Sequence, residues 1–198
     1  MTDAERALTK KGETTRDRIV DAARAMLLAR GYDGLVLREL AESLDITLGN
    51  LQYYFPTREA LALHVLGVEG TRDALLIEDR RRSDGPLENF RTSVRDMAVR
   101  YRGESGQLLL MITALAQHNA EFEQLYRTSY ADFYPVFETL FRELNPGLAA
   151  LEVAARARIV NALVEGSAFQ TAVGDLDAYL DRVVAEAEAI ALAPAPPG

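Results

Sequence analysis

Between Thr47 and Tyr54 the chain reads TLGNLQYY, a run with hydroxyl, amide and phenol groups and no charge. Wound into a helix, Leu51, Tyr54 and the next residue, Phe55, share one face at i, i+3 and i+4 and can bury. Thr47, Leu48, Gly49, Asn50, Gln52 and Tyr53 are left pointing outward. An uncharged exposed face solubilises poorly, but its chemistry suits a nucleic-acid groove. Asn and Gln carboxamides bridge the two edge groups of adenine, phenol hydroxyls reach phosphates, and glycine lets the backbone come close. A plain helical hairpin with idle exposed side chains shows the same short periodicity.

Such a face needs elements to aim it. Upstream, Leu37, Leu40, Ala41 and Leu44 fall at i, i+3, i+4 and i+7, with Arg38, Glu39, Glu42 and Ser43 turned away, which predicts an amphipathic helix of about two turns. Asp45 stands at the reversal, where a short polar side chain tolerates the left-handed conformation. Thr47 is an N-cap, and Ile46 before it is placed to staple onto Leu51. Further upstream, Thr14 and Asp17 have capping-box spacing, and Ile19, Ala22, Ala23, Met26 and Leu27 mark one face of a helix that Gly31 ends.

The string from Gly31 to Leu61 resembles the DNA-binding domain of the tetracycline-repressor (TetR) family, with Gly31, Tyr32, Arg38, Leu40, Ala41, Leu44, Ile46, Thr47, Gly49, Leu51, Tyr54, Phe55 and Leu61 in register. The resemblance implies that Arg38 opens the second helix against a phosphate and that Thr47, Leu48, Gly49 and Asn50 face the major groove. It also implies that Tyr53 and Tyr54 touch the DNA backbone and that Arg58, where the family usually has lysine, opens the fourth helix against a phosphate. Three features depart from the family pattern. Leu35 and Val36 stand where Thr or Ser is usual, so the second helix is expected to lack its hydroxyl cap and to fray. Asp45 replaces a glycine. Gln52 replaces a tyrosine, which leaves open whether it meets a base or a phosphate.

Composition fits a folded protein: of 198 residues, 48% are hydrophobic and 26% charged. The absence of cysteine excludes disulfides and thiolate metal sites. The N-terminus carries no apolar leader, and the most apolar run, Leu108 to Ala116, is far too short to span a membrane, so a cytoplasmic protein with no membrane partner is expected. A net charge of −8 argues against nucleic acid until its distribution is considered. Residues 1 to 58 hold nine basic and nine acidic side chains, so the whole excess lies after Arg58. Both lysines, Lys10 and Lys11, sit in the segment 1–13, expected to be a flexible arm that either solubilises or finds phosphates and a minor groove.

The rest reads as helix: Thr57 to about Arg82, Pro86 to Arg102, Leu108 to Gln117, Glu121 to Leu144 with a bend expected near Pro135, Leu151 to Val173, and Leu176 to Leu192. The predicted fold is all-α with about nine helices. After the arm come a helix-turn-helix domain over 14–56, a ligand-binding and dimerisation domain over 57–192, and a disordered tail over 193–198. Ile159, Ala162 and Gly166 on one late helix, and Leu180, Val183, Val184, Ala187 and Ile190 on the other, either finish the monomer core or form a dimer seam. The resemblance implies the seam, a four-helix bundle with a second copy.

Candidate ligand-lining residues are Phe90, Met97, Tyr101, Met111, His118, Phe122, Tyr126, Tyr130, Phe133, Phe137 and Phe169, with Asn161, Glu165 and Gln170 as polar partners. Aromatics at helical spacing equally make core, and the pocket itself is implied by the resemblance. The two histidines, His64 and His118, lack metal-ligand spacing, and no HExxH, glycine-rich phosphate loop or GxSxG elbow occurs, so no enzyme and no cofactor are expected. The reading is a homodimeric, sequence-specific regulator, a repressor released from a palindromic double-stranded DNA operator by a small-molecule effector. The alternative is a helical interaction or ligand-binding module with weak DNA binding.

Overall fold

The computed structural model describes residues 3–80, 85–170 and 174–194, with side chains for all of these except 3–13 and Arg80. The chain divides into two compact units, Met1–Val68 and Glu69–Gly198. The division falls inside a helix, α4 (Arg58–Arg80), rather than at Pro56.

The first unit contains α1 (Asp3–Arg30), α2 (Leu37–Ser43), α3 (Leu48–Tyr54) and the start of α4. α1 begins at Asp3, so the segment expected to be a flexible arm has a helical backbone. Ala4, Glu5, Arg6, Ala7 and Leu8 are strong helix formers, and their propensity carries the helix back past the capping-box position. Gly31 closes it with φ 71°, its amide donating to the Leu27 carbonyl at 2.8 Å. Ile19, Ala23 and Leu27 bury with Leu35, Leu40, Ala41, Leu51, Phe55 and Leu61 to form the small core. As expected, Val36 offers α2 no side-chain cap. Fully buried Leu35, one residue earlier, pins the chain there instead.

The second unit is built from α5 (Pro86–Tyr101), α6 (Glu104–Ala116), α7 (Ala120–Leu144), α8 (Ala150–Ser167) and α9 (Leu176–Leu192), with the remainder of α4. Among the described residues there is no strand, and no helix is long and apolar enough to cross a membrane. Phe90, Val94, Met97, Phe133, Phe137, Phe141, Val160, Val164, Leu180, Val183 and Ala187 are sealed in one core. Each large side chain in it contributes about 1.5–3 kcal/mol by leaving water.

Two boundaries differ from the pattern. α6 starts before Leu108 because Gly106 is a close-approach position and not a breaker: a Cβ there would lie 1.7 Å from the Tyr101 carbonyl oxygen. α8 ends at Ser167 instead of Val173, and residues 171–173 lie outside the described residues. α7 runs through Pro135 as one helix, its start capped by Asn119 Oδ1, which accepts from the Glu121 and Phe122 amides at 2.9 and 3.3 Å.

Candidate functional site

In the first unit the α2–α3 reversal places the predicted reading face. Asp45 takes φ 55°, the left-handed turn expected of it. Thr47 Oγ1 then accepts from the Asn50 amide at 3.2 Å, which starts α3 with its polar side outward. Thr47, Gly49, Asn50 and Gln52 are exposed, Leu48 and Tyr54 half-buried, and Tyr53 is 82% exposed. Leu51 and Phe55 anchor the opposite side in the core. Tyr53 and Tyr54 meet edge to face at 5.2 Å, so each ring steadies the other.

Of the basic groups around this face, Arg58 and Arg18 are held in place. Arg58 lies over the Tyr32 ring at 4.4 Å and 3.8 Å from Asp33, half-exposed where α4 begins. Arg18 donates to the Leu44 carbonyl at 3.0 Å and ties α1 to the end of α2. Arg38 is exposed, with no ion-pair partner among the described residues. Behind the face, Arg16 sits over Phe55 and 3.4 Å from His64 Nδ1. Burial first and this guanidinium second push the His64 pKa below its ordinary 6.5. The side chains of Lys10 and Lys11 lie outside the described residues.

In the second unit three hollows meet around Tyr126, Tyr130 and Glu165. The inner one, about 40 Å³, is walled by α4, α5, α6 and α7 through Glu69, Asp73, Arg100, Tyr101, Ile112 and Phe133, with Gly70 lying against Ser129. A second lobe of about 140 Å³ runs beside Leu109, Leu110, Thr113 and Phe169. A wider cleft opens past Tyr134, Arg158 and Asn161. Arg100 pairs with Glu69 at 3.0 Å and with Asp73, whose other oxygen accepts from Tyr101 at 2.7 Å. Burial raises the Asp73 pKa, and Arg100 and Tyr101 pull it partly back. Glu165 Oε1 accepts from Tyr130 at 2.5 Å and from Asn161 at 2.9 Å. Burial raises the Glu165 pKa against these two bonds, and it raises the Tyr130 phenol as well.

Residues 19–65 match the family model for bacterial regulatory proteins of the tetR family. Residues 87–193, over half of the chain, match that for the C-terminal part of BetI-type transcriptional repressors. The chain belongs to the TetR family. Among curated relatives, YttP of Bacillus subtilis, assigned as an HTH-type transcriptional regulator, is 23% identical over 66% of this chain. The HTH-type transcriptional repressor KstR of Mycolicibacterium smegmatis is 39% identical over 29% of it. The match spans 56% of YttP and 28% of KstR. A TetR transcription regulator from Haloarcula marismortui has the same fold, with a TM-score of 0.74 at 16% identity over 90% of this chain and 97% of that one.

Against that TetR fold, the candidate residues sort by position. Tyr101, Tyr126, Tyr130, Phe133, Asn161, Glu165 and Phe169 come together on the hollows. Phe90, Met97 and Phe137 do not: they are sealed in the main core, and Phe122 is fully buried too, because their helical faces meet neighbouring helices. Met111 is half-buried off the cleft, and His118 and Gln170 are exposed at helix ends. Leu180, Val183 and Ala187, read as seam residues, are core against which Val184 and Ile190 pack, whereas Ile159 and Ala162 are exposed and Gly166 half-buried. Pattern reading missed Glu69, Asp73 and Arg100. The available signal was two acids, four residues apart, on the α4 face that also carries Leu66 and Ile77.

Proposed function

We propose that this chain is a sequence-specific DNA-binding transcriptional regulator: a homodimeric repressor that leaves a palindromic operator when a small molecule enters the cleft of the second unit. Family membership supports the reading, and so do the regulator and repressor names of YttP and KstR. The observation that carries it is α3, capped by Thr47, with an uncharged outer face and Tyr53 almost fully in solvent. In this reading Thr47, Leu48, Gly49 and Asn50 face the major groove, Gln52 meets a base or a phosphate, and Arg38, Tyr53, Tyr54 and Arg58 meet the DNA backbone, with Lys10 and Lys11 supplying further cations.

The dimer reading rests on α8, where Leu151 is 84% and Ile159 54% exposed beside exposed Ala155 and Ala162. Apolar side chains aligned this way on a surface are characteristic of a contact face. Two copies present two α3 helices to half-sites one or more helical turns apart. Ligand acts by binding one of two states more tightly, and α4, which runs through the boundary between the units, carries the shift.

A gel-shift assay with the DNA upstream of the protein's own gene tests this. Wild type is expected to retard that DNA over a scrambled competitor, and Asn50→Ala to relax the preference by about 1–3 kcal/mol at one base position. Equal retardation of operator and scrambled DNA by wild type overturns the reading.

A further inference from the structure

The cleft of the second unit holds a carboxyl, Glu165, that pairs with no cation among the described residues. Glu165 Oε1 takes hydrogen bonds from Tyr130 and Asn161, both neutral, and Oε2 meets no donor among the described residues. Next to it, Asn161 is only 2% exposed, lines the wider cleft, and keeps an Oδ1 without any hydrogen-bond partner. The guanidiniums that line the hollows are committed elsewhere: both terminal nitrogens of Arg100 go to Asp73, Glu69 and Ser105, Arg158 pairs with Glu138, and Arg127 pairs with Glu123. Carboxylates therefore outnumber available cations around the hollows. A carboxyl desolvated without a paired cation holds its proton to higher pH, and a cation arriving beside it favours the ionised form.

Shape narrows the counter-charge. The ring centroids of Tyr126 and Tyr130 are 4.7 Å apart, and those of Tyr130 and Tyr134 are 5.6 Å apart. These three rings pack on one another and leave no gap between their own faces for a quaternary ammonium. Hydrogen bonding to the Glu165 oxygens then favours an ammonium that carries an N–H. The lobe beside Leu109, Leu110 and Phe169, about 140 Å³, takes an apolar body of about one ring.

We propose that the cleft binds an organic ammonium carrying at least one N–H, with its nitrogen on Glu165 and its apolar body in the lobe beside Phe169. This deepens the reading of the cleft as the effector site and rests on it.

Isothermal titration calorimetry on the full chain tests the proposal with two primary amines, n-butylamine and 2-phenylethylamine, and three analogues of the latter: its N,N,N-trimethyl derivative, 2-phenylethanol and phenylacetate. At least one primary amine is expected to bind, with the trimethyl derivative, the alcohol and the anion each at least tenfold weaker. Glu165→Gln should weaken the amine at least tenfold with its circular dichroism unchanged. Neither amine binding at millimolar concentration overturns the proposal, and so does a quaternary or anionic analogue binding as tightly as the amine. The wild-type series is decisive by itself, even where the Glu165→Gln chain fails to fold. The calorimetry contains no DNA, so silence there beside a working gel shift removes the amine and keeps the regulator; amine binding beside a failed gel shift does the reverse.

Discussion

At the scale of single residues, Glu165 and Asp73 are carboxyls whose surroundings shift their protonation in the same direction. Both stay protonated to higher pH than a carboxyl in water, chiefly because they are buried, and Asp73 raises Glu165 further. A folded state that holds a proton longer than the unfolded chain loses stability as pH rises, beginning near the ordinary Glu165 value of 4.5 and continuing through the raised one. Glu165→Gln removes that loss, while Tyr130, Tyr126, Asn161 and Asp73 remain around the site. Thermal melts at pH 5 and pH 8 should show the variant gaining on wild type at the higher pH, by about 2–4 °C for each kcal/mol relieved. An unchanged difference between the two chains removes the argument. The outward polarity of Thr47, Asn50 and Tyr53 was legible because it follows from the helical period of one segment. The Arg100–Asp73–Glu69 cluster was not, because it joins side chains on two helices 27 and 31 residues apart.

At the scale of elements, α8 and α9 are joined by one buried guanidinium. Arg156, 4% exposed, donates to Glu152 at 2.7 Å on its own helix. It also donates to the carbonyls of Ile190 at 3.1 Å, Ala193 at 2.5 Å and Pro194 at 2.9 Å. These carbonyls belong to the end of α9, which its own helix cannot satisfy. Ala193 and Pro194, read from composition as the start of a disordered tail, are thus held in place. Arg156→Ala is expected to destabilise the second unit by about 2–4 kcal/mol in urea unfolding, since it strands Glu152 and several carbonyls at once. A change below about 0.5 kcal/mol would show that water replaces the guanidinium freely. Element bounds were legible where a cap and a stripe agree, as for α9, whose Asp175 accepts from the Ala178 amide at 3.1 Å. They failed at α6, where Gly106 resembles punctuation and is instead demanded by the Tyr101 backbone.

At the scale of the molecule, the charge balance and the exposed stripe of α8 divide the work. Residues 1 to 58 are neutral overall and the rest carries the whole −8, so self-repulsion between acidic bodies has to be overcome by apolar contact if two copies pair. Ile159→Glu adds charge to that stripe without touching the core. In light scattering it should turn a dimer into a monomer with its circular dichroism preserved, and operator retardation should vanish with it. A monomeric wild type, or a variant that stays dimeric, overturns the seam. The helices of both units were legible from periodicity, whereas core and seam on α9 were not separable, because one stripe of apolar residues serves equally well inside a monomer, where Leu180, Val183 and Ala187 lie.

Three hollows sharing a single acidic side chain also bear on how responsiveness can change over generations. With Glu165 as the proposed anchor, substitutions in Leu110, Thr113 or Phe169 would reshape one mouth while that side chain stays fixed, so a descendant could acquire a new inducer before giving up the old one.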